Sequence, residues 1–223
     1  MPEIAPPLHV LISGGEGDLA RALRGEFERE DTVVSAPGRK AMDVRDEAQV
    51  EAFFSGLERL DVVIANAGLT RDGVLAGLSG EDFGEAVNVN LRGAFLCARA
   101  AVKRMAKQRS GHLIFIGSRA ARHGTRGQSA YAAAKAGLVG LALSIAKEYG
   151  GRNIRCNVVL PGFLETRMTA GLAPERREEV RAEHALGRFN TVENAARFIA
   201  FLARLDHVSG QVFTLDSRLD KWT

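Results

Sequence analysis

A tyrosine, a lysine four residues later and a serine thirteen residues earlier are the side chains here best suited to moving a proton. Tyr131-Ala132-Ala133-Ala134-Lys135 is an alanine-rich run that favours helix, and its spacing stacks Tyr131 and Lys135 on one face. A phenol is almost wholly protonated at neutral pH. A nearby ammonium stabilises phenolate, which would lower the tyrosine pKa and let it exchange a proton closer to working pH. Ser118 ends the apolar run Leu113-Ile114-Phe115-Ile116, where its hydroxyl can orient a substrate carbonyl. Tyr-x-x-x-Lys alone is common on surface helices. The combination with Ser118 and an upstream glycine loop is what points to catalysis.

That loop is Ser13-Gly14-Gly15-Glu16-Gly17-Asp18-Leu19-Ala20, directly after the first apolar run. Gly14 and Gly17 allow a sharp turn and a close approach to a pyrophosphate, and Ala20 lets the helix pack near the strand. The helix start offers free N–H groups and a favourable dipole. Asp18 either caps that helix or faces the ligand, with capping the expected role. The second strand ends in Ser35-Ala36-Pro37-Gly38-Arg39-Lys40. An acid there would accept from a ribose 2′-hydroxyl and favour NAD(H), whereas a base would pair with a 2′-phosphate. Arg39 is the first charge in reach, so NADP(H) is preferred over NAD(H); otherwise Arg39 and Lys40 are solvated loop charges.

These groups need a scaffold, and apolar runs alternate with helical patterns along the whole chain. Strands are expected at Leu8–Ile12, Thr32–Ser35, Asp61–Ala65, His112–Gly117, Ile154–Leu160 and Gln211–Leu215. A Pro-Gly turn after the second leads to Lys40–Val44. Helices are expected at Leu19–Glu30, Asp46–Leu60, about Glu81–Gln108, Ser129–Tyr149, Pro174–His184 and Val192–Leu205. The pattern predicts an α/β fold: one doubly wound Rossmann-type parallel sheet with helices on both faces, formed by residues 1–223 as a single domain. Ligand should bind at the carboxyl ends of the strands.

Composition narrows the function classes. A 223-residue chain that is 46% hydrophobic has enough material for one proper core. A net charge of +3 permits an anionic ligand but does not call for nucleic acid, and no RNA-binding signature or repeat is present. Residues 1–7 read as an extended lead-in rather than a signal peptide, and no apolar run suggests a membrane span. Cys97 and Cys156, distant in sequence, read as small core residues in a reducing cytoplasm. The five histidines show no metal-ligand spacing, so no metal is expected.

Taken together, these motifs resemble the short-chain dehydrogenase/reductase family from end to end. The matching pieces are the glycine loop, Asp43-Val44, Asn66-Ala67-Gly68, Asn90 in Val89-Asn90-Leu91, Ser118, Tyr131/Lys135 and Pro161-Gly162. The resemblance implies that Ser13, Gly14, Glu16, Gly17, Asp18, Leu19 and Arg39 border the cofactor. It also implies that Asp43 and Val44 contact the adenine and that Asn66, Ala67 and Gly68 line its side. Lys135 would hold the nicotinamide ribose, with Pro161, Gly162, Leu164 and Thr166 beside the nicotinamide. Asn90 would complete a tetrad with Ser118, Tyr131 and Lys135 through a water relay.

Within the family, Gly127 to Leu138 and Asn157 to Thr169 are most similar to the bacterial 3-oxoacyl-acyl-carrier-protein reductases. That likeness implies NADPH-dependent reduction of a 3-oxoacyl thioester in fatty acid biosynthesis. Arg109 and Arg152 would then dock an acyl carrier protein, although both also read as solvated charges. Another ketone or secondary alcohol is the alternative substrate, and a non-catalytic nucleotide-binding regulator is the alternative class. Family habit implies a homodimer or homotetramer through the helices near 81–108 and 129–149. Residues 165–190 are expected to form a mobile substrate lid. Arg119, Arg122, His123 and Arg126 either meet an anionic substrate or form a solvated loop.

Three departures stand out. The segment between the second strand and Asp43 is too short for the helix usual there. The usual basic residue of the glycine loop is replaced by Glu16 or deleted. The ending Leu215-Asp216-Ser217-Arg218 lacks the paired glycines, which puts the usual subunit contact there in question.

Overall fold

The computed structural model describes residues 7–28 and 31–219. Most of the expected lead-in, residues 1–6, and the expected end of the first helix at Glu30 lie outside that range. Six parallel strands form one sheet in the order β2-β1-β3-β4-β5-β6. They are β1 Leu8–Ile12, β2 Thr32–Ser35, β3 Val62–Ala65, β4 Gly111–Ile116, β5 Ile154–Leu160 and β6 Val212–Thr214. Central β3 and β4 are buried along their full length, as parallel strands covered on both faces must be.

Helices α2 (Glu47–Ser55), α4 (Gly93–Gln108) and α6 (Ser129–Tyr149) cover one face around Phe54, Leu96, Met105 and Leu138. Helices α1 (Asp18–Phe27) and α8 (Val192–Ala203) cover the other around Leu23, Phe27, Ile199 and Leu202. Both layers bury side chains at helical spacing, which is what the periodicity predicted. Three shorter helices, α3 (Gly80–Val87), α5 (Ala120–His123) and α7 (Pro174–Ala182), lie nearer the strand ends.

Several expected boundaries shift for local reasons. Helix α2 ends at Ser55, before Gly56, and not at Leu60. Its start is fixed by Asp46, whose carboxylate accepts from Ala48 N and Gln49 N. The expected 81–108 helix is α3 and α4 joined by a π-helical turn at Asn88–Arg92, which contains Asn90. No helix intervenes between β2 and Asp43, only turns, so β2 forms the outer edge of the sheet. Ser129–Arg152, at mean hydropathy 1.4, is long and apolar enough to cross a membrane by length and composition, contrary to the expectation of no such run. Here it lies against β5 and carries Lys135 into the interior.

Behind the sheet sits a buried polar network. His112 on β4 is fully buried, with Nδ1 3.4 Å from the Ala203 carbonyl and Nε2 2.8 Å from Asn157 Nδ2. Asn157 also donates to Val208 O at 2.8 Å and accepts from Gln211 N at 2.9 Å. With Asn157 Nδ2 donating, Nε2 must accept, so the ring is neutral. Burial, with the Arg155 charge adding, lowers the His112 pKa to about 4.

Above about pH 6.5 the ring is neutral whether the chain is folded or not. As pH falls from there towards 4, only the unfolded chain takes up the proton, so stability drops by about 3 kcal/mol. We expect urea midpoints to fall steeply across that window in the wild type and less steeply in His112→Gln.

Candidate functional site

A cleft of about 1170 Å³ opens along the carboxyl ends of the strands. It begins where the strand order reverses, between β1 and β3, the usual ligand position in a doubly wound sheet. Gly14 stands after β1 at φ +69°. A Cβ there would lie 2.9 Å from Ala67 Cα, so only glycine lets this loop lie against the loop after β3. Gly17 is the N-cap of α1 in extended conformation, with no side-chain cap, which leaves the first-turn N–H groups of α1 for an anion. Replacing Gly14 by Ala should destabilise the fold by about 1–3 kcal/mol and displace the loop. Thermal melts and a nucleotide titration of the variant check both effects, and unchanged affinity would count against this loop as a phosphate site.

One expected cofactor residue, Ser13, does not face the cleft. Ser13 is buried, and its Oγ accepts from Asn66 N and Ala67 N at 3.1 Å each. It joins the two loops from behind instead of touching ligand. Asp18 does not cap α1; its carboxylate accepts from Arg167 N at 2.8 Å, far along the chain. The cleft is lined by Gly14, Glu16, Gly17, Asp18, Leu19, Arg39, Asp43, Val44, Asn66, Ala67, Gly68, Pro161, Gly162, Leu164 and Thr166, as expected of them.

The adenosine flank is thin and nearly charge-balanced. Arg45 forks onto Asp43, with Nη2 2.7 Å from Oδ2, and exposed Arg39 lies 3.3 Å from the same carboxylate. Arg45 hydrogen bonds hold the Asp43 carboxyl far below the usual range despite partial burial. Glu16 lies directly over Gly38, where a Cβ would fall 2.7 Å from its carboxyl carbon.

Beyond this flank, three side chains converge. Lys135 is buried with Nζ donating to Ile116 O at 2.7 Å, and Nζ lies 5.6 Å from the centre of the Tyr131 ring. Ser118, at the end of β4, is hydrogen-bonded to Tyr131. All three line the cleft. The electrostatics differ from the sequence expectation. Burial raises the Tyr131 pKa above 10; the Ser118 hydrogen bond opposes that, and the Asp72 charge adds to it. The Lys135 ammonium sits over the ring, and burial lowers its own pKa to about 8. The phenol is therefore held protonated, ready to give a proton.

Asn90 lies just behind this group and does not line the cleft. Its Nδ2 donates to Leu69 O and Ala86 O at 2.8 Å each, and its Oδ1 accepts from Leu69 N at 3.3 Å. Asn90 packs so closely on Gly68 that no side chain fits there; a Cβ would lie 2.8 Å from Asn90 Oδ1 and 3.6 Å from Lys135 Nζ. Phe163, Met168, Leu172 and Val180 also line the cleft, with Arg126, Arg176 and Arg218. Among the described residues no three His, Cys, Asp or Glu side chains gather to hold a metal. Cys97 and Cys156 are buried free thiols, both pushed up by desolvation.

Residues 17–217 match the model of a family described as enoyl-(acyl carrier protein) reductase, one of the short-chain dehydrogenase/reductase models. The chain belongs to the short-chain dehydrogenase/reductase family. It is an NAD(P)-dependent oxidoreductase of the class acting on CH–OH and C=O groups. One member of the family, a 3-oxoacyl-[acyl-carrier-protein] reductase FabG of Thermotoga maritima, is 39% identical over 94% of this chain and 90% of its own. FabG of Aquifex aeolicus is 35% identical over 91% and 84%. Among solved structures, ElxO with NADP bound superimposes with a TM-score of 0.86 at 26% identity, covering 95% of this chain and 98% of that chain. A tyrosine-to-phenylalanine variant of ElxO with NADPH bound gives 0.87 over the same shares.

Reasoning from sequence missed three residues that shape this family member's cleft. Arg45 follows Asp43 by two positions, and that spacing was its only signal. Arg167 and Arg218 come from distant segments and show none.

Proposed function

We propose that the protein is an NADPH-dependent carbonyl reductase whose substrate is a 3-oxoacyl thioester on acyl carrier protein. The observation that carries this reading is the convergence of Ser118, protonated Tyr131 and Lys135 on one wall of the cleft. The Gly14–Gly17 loop with the open N-terminus of α1 would hold the diphosphate, and Asp43 and Val44 the adenine. Arg39 would pair with the 2′-phosphate. Pro161, Gly162, Leu164 and Thr166 would flank the nicotinamide, and Lys135 would hold its ribose. NADPH, when bound, supplies a hydride to the carbonyl carbon.

The chain's own residues do the rest. Ser118 donates to the carbonyl oxygen and orients it. Tyr131 transfers its phenolic proton to that oxygen as negative charge develops. Lys135, anchored on Ile116 O, stabilises the phenolate left behind, and Asn90 would support it through a water relay. Phe163, Met168, Leu172 and Val180 give the acyl chain an apolar wall. The 165–190 segment serves as the lid.

Carrier docking at Arg109 and Arg152 is part of this reading. Both stand at the amino ends of β4 and β5, Arg109 in left-handed conformation after α4 and Arg152 just before Ile154. Ser118 is at the opposite end of β4, roughly 20 Å away by strand length. That separation favours delivery into a neighbouring subunit's cleft. A homodimer or homotetramer through α4 and α6 accords with it, and Phe95 and Leu143 are exposed on those helices. Two unpaired thiols suit a cytoplasmic setting.

The test is turnover. NADPH consumption with a short 3-oxoacyl thioester, on carrier protein and on a free pantetheine, should be faster than with simple ketones. Preference for a simple ketone would reassign the substrate, and cofactor binding without turnover over a broad carbonyl panel would overturn the enzyme reading.

A further inference from the structure

One contact joins the segment after β5 to the phosphate loop. Arg167 donates from its backbone N–H to Asp18 Oδ2 at 2.8 Å and from Nε to Asp18 Oδ1 at 3.1 Å, and its Nη2 bonds the Glu16 carbonyl. Asp18 is the first residue of α1, in the turn whose open N–H groups favour an anion. Its carboxylate is taken up by Arg167.

A carboxylate fixed there would repel an arriving diphosphate. Something must offset it. Arg21 is 3.6 Å from Asp18 but points out from the helix surface, with 61% of its side chain exposed. Arg167 makes the close bonds and lines the cleft. A guanidinium carries five N–H donors. Two are used on Asp18 and Glu16, so three remain, on a side chain that is 64% exposed at the cleft rim. Spare planar donors beside an open helix N-terminus are what a diphosphate binds best.

We infer that Arg167 is a diphosphate clamp: a cation carried on the 165–190 segment, aimed by Asp18, whose spare donors close on the cofactor's diphosphate. Asp18 is then a positioning residue that holds the guanidinium in place before the cofactor arrives. Because Arg167 opens the segment that contains α7, the same contact couples the closed position of that segment to nucleotide binding. The inference rests on the dinucleotide reading above.

Calorimetric titration with ADP and with NADPH tests it on four proteins: wild type, R167Q, D18N and the double variant. ADP keeps the diphosphate but lacks the nicotinamide, so it reads the clamp apart from catalysis. R167Q should weaken both ligands about ten- to a hundredfold, and the same substitution should still weaken them tenfold or more in the D18N background. ADP should also slow tryptic cleavage at Arg176 and Arg177 in the wild type and not in R167Q. A loss below tenfold, or one that vanishes once Asp18 is neutralised, overturns the clamp, since Arg167 then only screens a carboxylate. Failure of wild type to bind either ligand instead overturns the dinucleotide reading, and the clamp with it.

Discussion

Tyr131→Phe should lower kcat by about 10²–10⁴ while leaving the affinity for NADPH within about twofold. The ring stays, so the half-buried pocket and the contact with Lys135 keep their shape; only the hydroxyl and its hydrogen bond to Ser118 are lost. Nothing else in the cleft can replace the donor. Ser118 has an ordinary alcohol proton, and Lys135 lies behind the ring with its Nζ bonded to Ile116 O. Stopped-flow reduction and a cofactor titration on the same preparation measure the two quantities separately. Full turnover in the phenylalanine variant would remove Tyr131 from the chemistry.

The second large effect concerns stability. Asp216 has no solvent-exposed side-chain surface, and its carboxylate faces Arg218, through the backbone N–H and Nε at 2.9 Å each and through Nη2, and His184 Nε2 at 3.1 Å. The other nitrogen of His184 lies 2.7 Å from Val180 O, whereas Nε2, though close to Asp216, makes no hydrogen bond. Phe189 packs edge-on against the ring. The cluster ties the end of α7 to the chain after β6. Burial alone would push the Asp216 carboxyl up, but the hydrogen bonds and charge of Arg218, helped by His184, hold it below its usual range.

Among the described residues, Asp216→Ala leaves the Arg218 guanidinium buried with only the Glu183 carboxylate, 3.7 Å away, to face it. Removing one partner of a buried pair costs about 3–5 kcal/mol, which for a chain of this length lowers Tm by roughly 6–20 °C. The loss should concentrate in the 165–190 segment, so tryptic cleavage near Arg181 should accelerate before global unfolding. A Tm within about 2 °C of wild type would show that the cluster contributes little. This cluster stands where the sequence lacks the expected paired glycines, so Ser217-Arg218 fastens the candidate lid from below.

Much of this protein is legible in one dimension because its determinants are local. Near-continuous apolar strands alternating with amphipathic helices dictate a parallel sheet covered on both faces, and all six expected strands form. Tyr131 and Lys135 share a helix face by spacing alone, and Gly14 turns where a side chain would collide with Ala67. Where the reading failed, long-range contacts decided. Asp18 has the residue type and place of a helix cap, yet Arg167, 149 positions away, takes its carboxylate. Ser13 reads as a ligand residue, but β3 turns it inward to hold Asn66 and Ala67. Spacing also put a pKa-lowering ammonium beside Tyr131, whereas packing buried both groups and raised the phenol instead. A side chain's type sets what it can bond; only the assembled fold sets its partners and how much water it keeps.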